Sequence, residues 1–216
     1  MMRRDSMLKL IVWFLMIITF SSCDRIYYFY RSFIYGYLYH APIKLEKDDN
    51  HKIWIDFIAT EENFISEYTD KEFYDRICEE NNDMTYNQKR NIGHGDPLST
   101  YPEITTINIT CDKDYDKEHP AFTSLNDLII FEYISYKKFI TDGYKTYNSG
   151  YDYRRYKVSL DEEGTVDGLF MCAECGTSIS FKYLPLDLSQ DYNITVTMTY
   201  ADGFQVSETI KYRFDS

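Results

Sequence analysis

The sequence predicts a mainly β chain, an antiparallel β-sandwich with one short helix, and three observations carry that prediction. Apolar and polar residues alternate in several short segments. An Asp202-Gly203 pair joins the last two of them, and this dipeptide supplies the positive φ of a tight hairpin turn. The 22 tyrosines, set against five prolines and nine glycines, favour strands over helices and loops.

The elements follow in order. Ile26 to Tyr39 is too aromatic for a flexible tether, and Tyr35, Tyr37 and Tyr39 alternate with Gly36 and Leu38 as a strand does. Such a run either forms an aromatic surface that meets a sugar or protein partner, or it is a first strand with its core contacts. Tyrosine buries its ring while its hydroxyl stays wet, which favours the core reading. Ile53, Ile55 and Phe57 share one face of a second strand. Thr69-Asp70-Lys71-Glu72 has the capping-box pattern, with the Thr69 hydroxyl at the cap, and predicts a helix over about 70–80 with Phe73, Ile77 and Cys78 on its buried face. From Asn81 to Tyr101 the chain is polar and carries Gly93, Gly95 and Pro97, so it reads as a loop.

Beyond Glu103 the period of two is clearest. Ile107, Ile109 and Cys111 point to one side and Asn108 and Thr110 to the other. A charged loop from Asp112 to Pro120 precedes a strand that begins at Leu128 and extends toward Ser135, and Ser178 to Leu184 forms another. In the closing hairpin, about 193–200 and 204–214, Ile194, Val196, Met198 and Tyr200 face inward. Phe204, Val206, Ile210, Tyr212 and Phe214 continue that face, and Glu208 breaks it, as an edge position allows.

The N-terminus carries an address. Arg3, Arg4 and Lys9 precede an apolar run from Leu10 to Phe20, and Ser21-Ser22-Cys23 follows where a signal peptide is cut. Eleven residues at 1.5 Å each reach roughly half of a ~30 Å hydrocarbon core, too short for a comfortable span. The small-small-Cys ending resembles the lipobox of bacterial lipoproteins, although Phe20 stands where that family usually has leucine. The resemblance implies cleavage of residues 1–22, acylation of Cys23, and a domain over 23–216 held on the membrane by its lipid. Within that domain 24–100 is the aromatic part and 101–216 the clearest sandwich part. Asp24 is followed by Arg25, which is not an acid-rich surface-export signal. The expected location is the cell envelope, extracytoplasmic and on the outer membrane, with the leaflet and face left open.

Charge narrows the partners. The chain carries −12, and loss of Arg3, Arg4, Lys9 and Asp5 with the signal makes it −14. A polyanion repels nucleic acid and anionic headgroups, so no nucleic-acid partner is expected. Membrane contact through the Cys23 lipid, and a protein or glycan partner, remain. No cofactor is expected.

Four cysteines follow Cys23: Cys78, Cys111, Cys172 and Cys175. An exported compartment permits disulfides, and four cysteines allow three pairings. The two-residue gap between Cys172 and Cys175 is also redox or metal spacing. A redox motif sets its first cysteine at a helix N-terminus, however, and here strand-like Ser178-Ile179-Ser180-Phe181 follows. Zinc wants a second closely spaced pair, which Cys78 and Cys111 do not form. Disulfides or buried thiols are the favoured reading.

Ile107-Asn-Ile-Thr-Cys-Asp-Lys-Asp-Tyr-Asp-Lys-Glu-His-Pro-Ala121, with Ser124-Leu-Asn-Asp-Leu128, is similar to a signature of Bacteroidetes lipoproteins without an assigned activity. Asp191-Tyr-Asn-Ile-Thr-Val-Thr-Met-Thr-Tyr-Ala-Asp-Gly203 resembles their final hairpin. The likeness covers about residues 100–216 and leaves out the aromatic N-terminal half. It implies a membrane-anchored, immunoglobulin-like sandwich and brings no catalytic residues with it.

Two surface sites stand out. Asp112, Asp114 and Asp116 repeat the first half of an EF-hand loop, but Lys117 replaces the glycine of position 6 and Thr123 the glutamate of position 12, so an EF-hand is excluded. A looser calcium site or a solvated acidic turn is left. Tyr144, Tyr147, Tyr151, Tyr153 and Tyr156, with Arg154 and Arg155, form an aromatic and basic cluster among Gly143, Asn148 and Gly150. Tyrosine, arginine, glycine and asparagine on sandwich loops are the chemistry of paratopes, and a twisted edge hairpin is the competing account. Gly93-His94-Gly95 lacks the lysine and helix of a phosphate loop, and no serine sits in a Gly-x-Ser-x-Gly elbow. The expected function is therefore a non-catalytic binding or scaffolding module of the envelope. An enzyme or redox protein using Cys172 and Cys175, or a purely structural protein, is the alternative.

Overall fold

The computed structural model describes residues 27–48, 52–86, 88–91, 97–145, 154–161, 164–166 and 176–214. In chain order the strands are β1 (Tyr27–Tyr30), β2 (Gly36–Tyr39), β3 (Ile43–Lys47), β4 (Ile53–Phe57), β5 (Phe64–Ser66), β6 (Gln88–Asn91), β7 (Leu98–Tyr101), β8 (Ile104–Cys111), β9 (Ile129–Ser135), β10 (Arg154–Ser159), β11 (Ser178–Phe181), β12 (Asp191–Tyr200) and β13 (Gln205–Arg213). Helix α1 covers Lys71–Glu80 and the short α2 covers Lys137–Thr141. The described residues belong to two compact units. In the first, β1 pairs antiparallel with β6, Tyr27 opposite Asn91 and Tyr30 opposite Gln88. All other elements belong to the second.

The second unit is an antiparallel sandwich. One sheet runs β10-β9-β11-β4-β3 and the other β13-β12-β8. With β3 and β4 as A and B, β8 as C, β9 as D, β11 as E, and β12 and β13 as F and G, this is the A-B-E-D against C-F-G order of a constant-type immunoglobulin domain. β10 extends the first sheet beyond D as a hairpin partner. The sandwich thus reaches back to β3, with residues 58–103 inserted between B and C.

The inner faces obey the period of two. Ile107, Ile109 and Cys111 of β8 meet Ile194, Val196 and Met198 of β12, and Ile43, Leu45, Ile53 and Ile55 face them from the other sheet with Ile129, Phe131 and Ile179. Burying each such aliphatic side chain contributes about 1.5–3 kcal/mol, which fixes the register. At the E–F corner the Tyr192 hydroxyl donates to the Asp187 carbonyl at 2.9 Å, the tyrosine corner of immunoglobulin-like sandwiches. Two residues on, where antibody domains carry an inter-sheet cysteine, this chain has fully buried Ile194. Apolar packing does the work of the disulfide.

The closing hairpin turns at Gly203, whose φ is +88°, and Tyr200 and Phe204 close it through a 2.8 Å backbone bond. Glu208 is exposed on the edge strand β13, opposite Val196. Phe204 departs from expectation. It lies beyond the last pair of the ladder and is exposed, not part of the inward face.

A second core lies beside the sandwich. β2 pairs antiparallel with β5 and parallel with β7, so the polar stretch expected to be loop contains two strands, β6 and β7. Ser99 and Thr100 of β7 are fully buried because its backbone completes the β2 edge. Helix α1 packs Tyr74, Ile77 and Cys78 inward, the i, i+3, i+4 set, and Phe73 is only half-buried. Its cap is Asp70, which accepts from Phe73 N at 3.0 Å. Thr69, the expected cap, instead accepts from Ser66 N and donates to the Phe64 carbonyl. Phe33, Ile34, Tyr37, Tyr136, Phe139, Ile140 and Tyr144 complete this core.

Candidate functional site

The structure separates the residues singled out from the sequence. Tyr144 is 9% exposed, and its hydroxyl donates to Asp83 Oδ1 at 2.9 Å. Its ring meets Tyr86 and Phe139 edge-on. Burial first, and then the Asp83 carboxylate, push its pKa up to about 12. Tyr144 is a core residue, not a contact residue of an exposed loop. Arg154 and Arg155 open β10 opposite Ser135 and Ile134, so they begin a strand and do not sit in a loop. Tyr147, Tyr151 and Tyr153 lie outside the described residues, as do Cys23, Cys172 and Cys175.

The acidic loop holds itself together. Asp112 accepts from Asn193 N and Nδ2 at 2.8 and 2.7 Å, and Asp114 accepts from Ala121 N at 2.8 Å. Asp116 accepts from Glu118 N, His119 N and His119 Nδ1. Each carboxylate faces a different backbone donor, so the three do not converge. Among the described residues no group of three or more His, Cys, Asp or Glu side chains could hold a metal ion. Cys78 and Cys111 are free buried thiols, one in each core, and so form no disulfide with each other. Burial, and then Asp83, raise the Cys78 pKa to about 11.

Sequence reasoning missed two polar centres. Asp83 is fully buried and accepts from Phe33 N and Ile34 N at 2.7 and 2.8 Å, pinning the segment before β2 to the α1 side of the second core. His119 lies between two carboxylates, Nδ1 at 2.8 Å from Asp116 and Nε2 at 3.1 Å from Asp127. Asp116 precedes His119 by only three residues, but no spacing rule brings Asp127, eight residues on, to the other side of the ring.

A different aromatic surface occupies the F–G pole. The turn aims Asp202 at both its own backbone and His40: Oδ1 accepts from Phe204 N at 3.1 Å, and Oδ2 meets His40 Nε2 at 2.7 Å. Burial is the largest single influence on Asp202 and opposes its ionisation, but the Phe204 N–H and the His40 ring together outweigh it and hold the carboxyl below the usual range. The His40 ring stacks on Phe204, with centroids 4.0 Å apart and planes 15° apart. His40 adopts φ +48°, a left-handed backbone that costs a non-glycine residue on the order of 1 kcal/mol or more. Its N–H donates to the Tyr101 carbonyl at 3.0 Å, which fixes that geometry.

The surface continues from His40. Tyr39 lies 4.0 Å from the His40 ring and 5.6 Å from Phe73, and Phe73 lies 5.9 Å from Tyr101. Tyr101 donates its hydroxyl to Glu80 Oε2 at 2.5 Å, and the Arg76 guanidinium covers Phe73 at 4.6 Å. Phe204 is 46% exposed, and Tyr39, His40, Phe73 and Tyr101 are half-buried behind it. The described side-chain partners of His40 are Asp202 and three aromatic rings, an arrangement that fixes a ring more readily than it activates a nucleophile.

Fold and surface together define an immunoglobulin-like sandwich with a half-exposed aromatic cluster at its F–G pole. No protein-family model, curated protein or solved structure matches the chain. Among the described residues no helix is long and apolar enough to cross a membrane.

Proposed function

We propose that this chain is a non-catalytic binding module of a bacterial cell envelope, held outside the cytoplasm by a lipid on Cys23, and that it presents the F–G pole to a protein or glycan partner. The observation that carries the reading is the His40–Phe204 stack. A strained backbone at His40 and an aromatic ring left open to water both lower stability, and neither is needed to close the three-residue loop Ala201-Asp202-Gly203. Loops at the end of a sandwich bind while the strands keep the core, and rigid aromatic rings give contact area at little entropic cost.

The experiment pairs two variants in the parent cell. Cys23→Ser should release the protein from the membrane fraction or leave an unprocessed precursor. Phe204→Ala in the otherwise native chain should abolish a partner captured by cross-linking intact envelopes, with secondary structure and melting temperature unchanged. Unchanged mass and retention of the serine variant would remove the anchor from the proposal. Undiminished capture by the alanine variant would remove the F–G pole.

A further inference from the structure

The opposite pole of the sandwich carries four of the seven large apolar side chains that are exposed among the described residues. Phe122 on the C–D loop is 75% exposed, and Tyr183, Leu184 and Leu186 on the E–F loop are 69%, 54% and 72% exposed. The two loops are joined: Leu186 N donates to the Tyr115 carbonyl at 3.0 Å, and the Tyr115 hydroxyl donates back to the Tyr183 carbonyl at 2.5 Å. Tyr115 itself is buried and stacks on Phe181, so this junction is anchored in the core. The four side chains together expose on the order of 500 Å² of apolar surface.

Phe122 adds a second observation. Its φ is +66°, a region that a bulky residue rarely enters, and its N–H is fixed to the Cys111 carbonyl at 2.7 Å. Glycine would sit there without strain. A phenylalanine held at a strained backbone with its ring in water contributes little to the fold, which leaves a role at the surface.

The rim selects the occupant. Residues 112–127 and 182–191 carry seven acids against Lys113, Lys117 and Lys182. Asp191 is already paired with Lys211 and Arg213, and Asp116 and Asp127 share His119, so Asp112, Asp114, Glu118 and Asp187 are the carboxylates left to a partner's cations. Lys113 and Lys182 already donate to the Asp191 and Asp127 carbonyls. A second copy would set acid against acid. A membrane surface would have to take in Asp187, which lies between Leu186 and Leu188, and anionic headgroups would be repelled. We infer that the C–D and E–F loops form a docking surface for a basic polypeptide segment with apolar anchors, its cations meeting the acidic rim and its anchors covering Phe122, Tyr183, Leu184 and Leu186. This surface is separate from the F–G pole and does not depend on the function proposed for it.

The test uses the purified full chain and an 18-residue amphipathic peptide of leucine and lysine, with its leucine and glutamate counterpart and phosphatidylcholine vesicles as comparisons. The lysine peptide should bind, and Leu186→Ser should weaken it at least about tenfold at unchanged protein charge, the loss expected for one buried leucine anchor. Phe122→Gly should weaken binding likewise while the protein melts no lower, because the strained φ suits glycine. Phe204→Ala should leave peptide binding as it is. Equal binding of the glutamate peptide, preferential binding of the vesicles, a dimer dispersed by Leu186→Ser, or a lysine peptide indifferent to Leu186→Ser would each overturn the inference.

Discussion

Gly164 lies against Ile107 so closely that a β-carbon on the glycine would stand 1.8 Å from the Ile107 carbonyl oxygen. Its own carbonyl accepts the Ile107 N–H at 2.8 Å, and its φ is +66°. The contact covers the outer edge of β8, together with the Val166 N–H to Thr105 bond at 3.0 Å. An uncovered edge is a template for pairing with another chain. Gly164→Ala brings both a backbone collision and a disfavoured φ. It should cost about 3 kcal/mol or more and raise the aggregation rate, read from urea midpoints and light scattering. An alanine variant within 1 kcal/mol of the native chain would show that the edge is not closed this way.

The two faces of β12 make opposite demands. Val196 is fully buried between the sheets, and its neighbour Thr197 points outward, bonded to Ser207 Oγ at 2.9 Å. Val196→Asp buries a carboxylate without a partner and should leave the protein unfolded or insoluble. Thr197→Asp should change the unfolding free energy by no more than about 1 kcal/mol. The expected contrast is read by thermal melts of the two variants side by side. Equal effects would mean that the inward face is misassigned.

These faces were legible because period two survives wherever one side of a sheet meets water, as it does along β8, β12 and the inner half of β13. Ile53, Ile55 and Phe57 announced β4 for the same reason. β7 was not legible: Ser99 and Thr100 are buried by pairing with β2, and a polar strand that completes another strand's edge shows no apolar alternation. The helix appeared with its cap one residue early, since Thr69 and Asp70 are both good caps, and the turn after β5, which engages the Thr69 hydroxyl with Ser66 and Phe64, decides between them. The site was less legible. Tyr144 sits in a tyrosine-rich run that looks like a contact loop, yet its hydroxyl is claimed by Asp83, 61 residues away in sequence. His40 and Phe204 are 164 positions apart, and no local pattern joins them.

The two described thiols should be inert in the folded protein. Cys78 and Cys111 are buried, and burial raises both thiol pKa values, Cys78 to about 11. Thiolate is the reacting form, so iodoacetamide at pH 8 should leave both cysteines unmodified in native buffer and modify both in 6–8 M urea. Peptide mapping by mass spectrometry distinguishes them from the other three cysteines of the chain. Rapid native modification of Cys78 would place its helix outside the second core.

His119 makes the C–D loop respond to pH. Burial alone would lower its pKa, but the hydrogen bond to Asp116 and the charge of Asp127 outweigh that and raise it above its ordinary value. Asp116 is lowered in turn: burial opposes this, and the His119 ring and two backbone N–H groups prevail. A group raised on folding contributes fully below its unfolded pKa, about 6.5 for histidine, and the contribution fades as pH rises through the folded value. A group depressed on folding contributes above its unfolded pKa, about 3.9 for aspartate, and the contribution fades as pH falls through the folded value. Both are therefore whole between about pH 4 and 6.5. Once pH passes the raised folded value the imidazole keeps one N–H and can donate to Asp116 or Asp127, not to both. The stability gap between the native chain and His119→Gln should be widest near pH 5.5 and narrow by pH 8.5, measured as urea midpoints across that range. A gap that stays constant or widens with rising pH would show that His119 is held neutral and that the two carboxylates do not share its charge.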